Sequence, residues 1–267
     1  MIWMWTVLFR IQKTIFLPVF LFSLIFLMDL TTAAFAAIPL ITDDTGTQGK
    51  GKFQLEVLGE YGHDKEAGIK EETQGATASF SYGVLDPIDI VLSVPYAFWE
   101  TKDSECNEKD DGLADLAIEA KWRFFEREGF SFALKPGLTL PTGDEDKGLG
   151  AGRATGYLFL ITSKELQPWA FHLNLAYIRN ENKNDERNDL WHASFATSYE
   201  VFKKLKLVGD IGVETNPDRC STIDPAYILG GFIYSPVENF DIGLGIKGGL
   251  TETETDLSVR GGITWRF

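Results

Sequence analysis

The last eleven residues of the chain, LSVRGGITWRF at positions 257–267, alternate between two kinds of side chain. Odd-numbered positions are apolar or glycine, from Leu257 to Phe267, and even-numbered positions are polar or glycine. A period of two is typical of a β-strand whose two faces meet different solvents. A strand of this length can cross a bilayer when it is part of a closed barrel, because about 9 to 11 tilted residues suffice.

The same alternation recurs along the chain in about twelve segments. Short connections between these segments take turns with longer polar ones, which is the pattern of bacterial outer-membrane barrels. The sequence therefore predicts an all-β fold, a transmembrane antiparallel up-and-down β-barrel of about 12 strands. The predicted strands lie near residues 52–62, 73–84, 88–100, 113–125, 130–141, 153–163, 169–179, 189–201, 205–215, 225–235, 238–249 and 256–267.

Aromatic residues support the barrel over a soluble β-sandwich. Trp122, Trp169 and Trp265 fall near the short connections, whereas Tyr61 and Trp191 fall near the long ones. Two aromatic belts separated by aliphatic strand centres are what the two membrane interfaces select.

The first 36 residues differ from the rest. Arg10 and Lys13 precede an apolar stretch at 15–28, and small residues follow up to Ala36. The apolar block is shorter than the roughly 20 residues of a membrane-spanning helix, so we predict a secretory signal peptide at residues 1–36, cleaved near Ala36. An uncleaved N-terminal anchor is the alternative, because residues 2–9 are also apolar. We expect residues 37–51 to form a short N-terminal periplasmic segment and residues 52–267 to form the barrel.

Composition excludes some functions and suggests partners. The 267 residues contain 39 acidic and 25 basic side chains, a net charge of −14, which excludes the basic surface that nucleic-acid binding needs. Most of the negative charge lies in the long connections. It either solvates exposed loops or attracts cationic solutes and the divalent cations that bridge lipopolysaccharide. We expect outer-membrane lipid, lipopolysaccharide and small solutes as partners.

The parity of the strands predicts which charges face the lumen, because a charge facing lipid is costly. Such a wall either steers solutes through a water-filled pore or closes on itself as salt bridges. The candidate lumen-lining residues are Glu56, Glu60, Asp115, Glu119, Lys121, Arg123, Lys135, Glu200, Lys206, Asp210, Asp241, Lys247, Arg260 and Arg266.

No motif predicts an enzyme, a metal site or a cofactor. His172 and His192 fall at opposite ends of neighbouring strands, too far apart to share a metal. His192-Ala193-Ser194 resembles the His-x-Ser of outer-membrane phospholipases, but Phe195 follows where that family has Asn. The glycines at 148–152 do not complete a G-x-G-x-x-G motif. We therefore expect no catalytic residues and no cofactor.

Two further features predict structure rather than chemistry. Cys106 and Cys220 lie in long loops on opposite sides of the barrel, and they either form a disulfide across the mouth or remain two free thiols. Trp265 and Phe267 end the last strand, and we expect them to form a signal for the outer-membrane assembly machinery.

Three segments carry a family resemblance: LITDDTGTQGKGKFQLE at 40–56, PGLTLPTGD at 136–144 and the terminal WRF. They resemble the "putative phenol-degradation meta-pathway" outer-membrane proteins. The resemblance implies an outer-membrane barrel, often labelled a transporter and associated by gene context with aromatic catabolism. It supplies no catalytic or binding residues. It favours passive transport of small solutes, with aromatic or hydrophobic molecules as candidates. The alternative is a non-conducting structural or surface-interaction barrel with acidic extracellular loops.

Overall fold

The computed structural model describes residues 38–66, 69–102 and 107–267, so the predicted signal peptide at residues 1–36 lies outside the described residues. Within the described residues, no helix is long and apolar enough to cross a membrane. One short 3-10 helix spans Glu145–Lys147. The strands are β1 (Phe53–Glu66), β2 (Ile69–Leu85), β3 (Ile88–Lys102), β4 (Asn107–Leu113), β5 (Leu116–Arg127), β6 (Phe130–Leu140), β7 (Thr155–Leu166), β8 (Trp169–Arg179), β9 (Asp189–Phe202), β10 (Leu205–Glu214), β11 (Ala226–Val237), β12 (Phe240–Gly249) and β13 (Leu257–Arg266).

The strands form one closed antiparallel barrel. Neighbours along the chain pair with each other, and β1 pairs with β13 to close the wall. Twelve strands make up the barrel, and β4 is an extra strand that pairs with the outer half of β3, while β5 pairs with the inner half. The predicted fold class is confirmed.

The strand predicted at residues 113–125 is divided in the structure. β4 ends at Leu113 and β5 begins at Leu116. The intervening Asp115 is turned towards the β6–β7 loop, where its carboxylate accepts the N–H groups of Gly143 and Ala151, both at 2.9 Å. The Leu116 N–H donates to the Thr142 hydroxyl of the same loop at 2.9 Å, so the loop holds the chain at the break between the two strands.

The outer face of the barrel is apolar, as the alternation predicts. In the closing pair β1–β13, Leu55 lies opposite Trp265 and Val57 opposite Ile263. Trp265 is 48% exposed, and Trp191 at the opposite end is 63% exposed. Side chains this large and apolar are stable at such exposure because lipid covers them.

Residues 38–52, called here the inner segment, lie inside the barrel. Ile38 to Asp43 are buried, and the chain leaves the lumen at the short-turn end to begin β1. This placement differs from the short periplasmic segment expected for residues 37–51. Glycine makes room for it: a Cβ on Gly243 would lie 2.0 Å from the Ile38 carbonyl oxygen, and one on Gly83 would lie 1.8 Å from that of Gly49.

Candidate functional site: the lumen and its inner segment

A buried ionic network holds the middle of the inner segment. Both Asp43 carboxylate oxygens are bound, one by Lys121 Nζ at 2.8 Å and the other by Lys135 Nζ at 3.0 Å. Lys135 also lies 3.4 Å from Glu119, which accepts a 3.0 Å hydrogen bond from the Tyr157 hydroxyl. Removing one partner from a buried pair costs about 3–5 kcal/mol, because the other charge is left uncompensated. The network therefore fixes the segment against β5 and β6.

The backbone of Asp43 is held by β8, two strands along the wall from β6. With its amide oriented to satisfy both groups, Asn174 on β8 accepts the Asp43 N–H at 2.6 Å and donates to the Asp43 carbonyl at 2.9 Å. Both residues are fully buried. Side chain and backbone of one residue are thus bound by three different strands.

A carboxylate on β10 organises the preceding turn of the segment. Asp210 accepts the N–H groups of Ile41 and Thr42 at 2.7 and 2.8 Å and the Thr42 hydroxyl at 2.6 Å. Leu40 and Ile41 pack against apolar lumenal side chains beside it. These are Ala196, Val208, Tyr227, Leu229 and Ile233.

The segment also contacts the wall near each of its ends. Arg260 on β13 donates to the Pro39 carbonyl at 3.2 Å, and Asp89 on β3 accepts the Gln48 N–H at 2.9 Å. Between these ends the contacts pass β10, β8, β6 and β5, which is the order of strands around the barrel. The segment therefore follows the inner wall for most of a turn and narrows the lumen from its circumference.

A polar cavity of about 420 Å³ remains between the inner segment and strands β1 and β13. Glu56, Arg266 and Asp44 are among its lining residues. Glu56 accepts from the Thr264 hydroxyl at 3.1 Å, and Arg266 is paired with Asp241 at 2.8 Å. Charges of both signs face a space at the short-turn end of the lumen.

Higher in the lumen, opposite charges pair along the wall. Lys247 lies 3.0 Å from Glu254 and 3.7 Å from Glu60, and Glu60 is also bound by Arg260. Lys247 is completely buried in this network. On this stretch of wall the charges are paired with one another.

The remaining predicted lumenal residues lie apart from the inner segment. Arg123 pairs with Glu126 at 3.3 Å, and Glu200 lies opposite Lys206 in the β9–β10 register near the short turns. The Asp115 carboxylate accepts a hydrogen bond from the β6–β7 loop and does not face an open lumen. The predicted set thus divides into residues that hold the segment, residues that pair along the wall, and residues near the rims.

Sequence reasoning missed the role of Asp43, because the parity rule applies to strands and the segment is not one. A signal was nevertheless present. The stretch AYILGGFIYS at 226–235 is apolar on both faces, which is unexpected for a strand between lipid and a polar lumen. Its lumenal side chains, Leu229 and Ile233, are the ones that Leu40 and Ile41 cover.

The histidines and cysteines form no reactive centre in the described part of the chain. His172 Nδ1 lies 2.8 Å from the Ser163 hydroxyl, and buried His192 lies 3.4 Å from Glu214. No group of three His, Cys, Asp or Glu in the described ranges is arranged to hold a metal ion. Cys220 is an exposed free thiol, and Cys106 lies outside the described residues, so their pairing stays a prediction.

The long loops bind one another around the outer rim. Arg187 in the β8–β9 loop donates to the carbonyls of Asn216 and Ser221 in the β10–β11 loop, at 2.9 and 2.8 Å. Glu145 in the β6–β7 loop pairs with Lys183, whose hydrogen bond holds the pKa of the Glu145 carboxyl below its usual value. Hydrogen bonds and ion pairs thus hold the long loops to one another at the outer rim. The lumen itself is narrowed by the inner segment.

Comparison with solved structures finds outer-membrane barrels. An outer-membrane channel from Pseudomonas putida F1 is 15% identical with a TM-score of 0.70, over 84% of this chain and 98% of that one. The translocator domain of the autotransporter NalP from Neisseria meningitidis is 10% identical with a TM-score of 0.50, over 84% and 91%. The NanC porin is 9% identical with a TM-score of 0.52, over 79% and 98%. The chain shares the closed β-barrel fold of these outer-membrane proteins.

Sequence comparison adds a family. A family model described as "Putative MetA-pathway of phenol degradation" matches residues 37–267. A comparison with curated protein sequences finds no match.

Proposed function

The chain belongs to the family described as "Putative MetA-pathway of phenol degradation", and from this membership and the lumen we propose that it is a passive diffusion channel of the outer membrane. Its solutes are small molecules, with single-ring aromatic and other hydrophobic compounds as candidates. The inner segment sets the size of what can pass.

The observation that carries the proposal is the cavity beside the inner segment. Its volume of about 420 Å³ lies within the range of roughly 300–1,000 Å³ that small-molecule sites occupy. Phe53 and Phe267 border it from the apolar outer face, with ring centroids 5.6 Å apart, and the charged side chains of Glu56 and Arg266 line it. Hydrogen-bonding groups beside an aromatic rim suit a small solute that has a hydroxyl group and a ring.

A non-conducting barrel is the second candidate, and the buried ion pairs of Asp43 favour it because they bind the segment firmly. Purified protein reconstituted in planar bilayers separates the two. Discrete conductance steps, together with phenol influx into proteoliposomes above that of protein-free vesicles, are expected of a channel. Folded, heat-modifiable protein that gives neither would overturn the proposal and leave the structural barrel.

A further inference from the structure

Three carboxylates converge at the extracellular end of the lumen. Asp64 and Glu71 lie directly opposite each other on β1 and β2, and Asp256 lies just before β13. The Asp256 N–H is 3.4 Å from Asp64 Oδ1, and the Lys65 N–H is 3.3 Å from Asp256 Oδ2. We call Asp64, Glu71 and Asp256 the outer acidic cluster.

The parity of the strands turns this cluster inward. Glu71 is only 6% exposed, on the same face of β2 as buried Thr73, whereas Glu72 between them faces the other way. Asp64 follows the lumenal Gly62 by two residues, and Asp256 precedes buried Ser258 by two. The cluster therefore faces the lumen rather than the outer surface.

Hydroxyl groups form the base of the cluster. Gly62 has no Cβ, and a Cβ there would lie 2.5 Å from Thr73 Oγ1 and 3.4 Å from Ser258 Oγ. These two hydroxyl oxygens and Glu71 Oε1 are buried without a hydrogen-bond partner in the described part of the chain. In the described part of the chain, buried oxygen atoms on β2 and β13, the two strands that flank Gly62 on β1, thus have unused hydrogen-bonding capacity.

The ionic network around Lys247, lower in the lumen, contains basic side chains that the outer acidic cluster does not have beside it. Glu60 and Glu254 are neutralised by Lys247 and Arg260. Among the described residues, by contrast, no lysine or arginine lies within 4.0 Å of a carboxylate oxygen of the outer acidic cluster. Neighbouring carboxylates repel one another unless protons or cations from solution reduce their charge. Where these carboxylates are ionised, a cation from solution is therefore expected to bind beside them.

We propose that the outer acidic cluster binds hydrated inorganic cations and makes the channel cation-selective at its extracellular mouth; the selectivity rests on the proposed channel function. No three acidic or histidine side chains in the described ranges form a chelate, so the cation keeps part of its water and is held by the field of the carboxylates. Such a site raises the local concentration of cations without trapping them, as conduction requires.

The test is the reversal potential of single channels under a tenfold KCl gradient. Wild-type protein is expected to favour K⁺ over Cl⁻. Glu71→Gln should lower the permeability ratio about threefold, because one charge acting on a cation about 5–7 Å away through water changes its occupancy by roughly that factor. Glu72→Gln removes the same charge one residue away on the opposite face, and should leave the ratio unchanged. Asp256→Asn, at the exposed end of the cluster, should also lower the permeability ratio. This variant tests the site if Glu71→Gln fails to fold.

Calorimetric titration of the folded protein with CaCl₂ separates this inference from the proposed function. Calcium binding that Glu71→Gln or Asp256→Asn weakens and Glu72→Gln preserves would support the site, even in a barrel that does not conduct. The inference is overturned if calcium binding and the permeability ratio are the same in wild type and in the folded cluster variants.

Discussion

Replacing Lys135 with methionine is expected to loosen the inner segment and raise the unitary conductance. Methionine fills a similar volume but carries no charge, so Asp43 keeps only Lys121 and Glu119 keeps only the Tyr157 hydroxyl. Lys135 is 1% exposed, so breaking its pairs costs about 3–5 kcal/mol with little relief from solvent. Since about 1.4 kcal/mol is a factor of ten, the population with a displaced segment should rise at least a hundredfold.

The assay combines single-channel recording with limited proteolysis. The variant should show larger or more frequent open steps, and trypsin should cleave after Lys50 or Lys52 faster than in the wild type. Lys206→Met is the control, because it removes an exposed lysine of the same barrel, away from the inner segment. If Lys135→Met folds and both readouts match the wild type, the ionic network does not hold the segment and the reasoning is wrong.

Three other perturbations test separate parts of the structure. Gly243→Val should displace the start of the inner segment and lower the unfolding temperature by several degrees, whereas Gly230→Ala, where a Cβ meets nothing within 4 Å, should change little; thermal unfolding followed by circular dichroism compares them. The depressed pKa of Glu145 means that its pairing with Lys183 stabilises the loops above the usual value of 4.5 and is lost as the pH falls through the lowered value. The protection factors of amides in residues 180–188, which correct for the pH dependence of intrinsic exchange, should therefore be unchanged at pH 5 and fall only in stronger acid; a fall already at pH 6 would contradict this. Deletion of Trp265–Phe267 should leave the protein degraded in the periplasm, and a normal heat-modifiable band in outer-membrane fractions would show that another signal directs assembly.

The strands could be predicted from sequence because lipid and lumen impose opposite demands on alternate residues. That is why the pattern from Leu257 to Phe267 suffices to place β13 and its faces. The break at Asp115 could not be predicted in this way, because the amides that bind its carboxylate lie 28 and 36 residues further along the chain. Local alternation contains no information about such a partner.

The inner segment escaped prediction for a related reason. Asp210 binds Thr42 across 168 residues of sequence and Asp43 binds Lys121 across 78, and neither carboxylate differs locally from a solvated one. The one local sign was in β11, which is apolar on both faces because Leu229 faces the lumen. The apolar residues that cover Leu229, which are Leu40 and Ile41, could be identified only from the closed barrel.

The route of the inner segment around the wall also imposes an order on assembly. Its contacts begin on β13, the last strand of the chain, and reach β3 at Gln48. At its start, Arg260 binds the Pro39 carbonyl and also Glu60 on β1, so this anchor bridges the two strands that meet only when the wall closes. The start of the segment can therefore reach its final contacts only on a finished cylinder, which makes closure of the wall the last step in fixing the lumen.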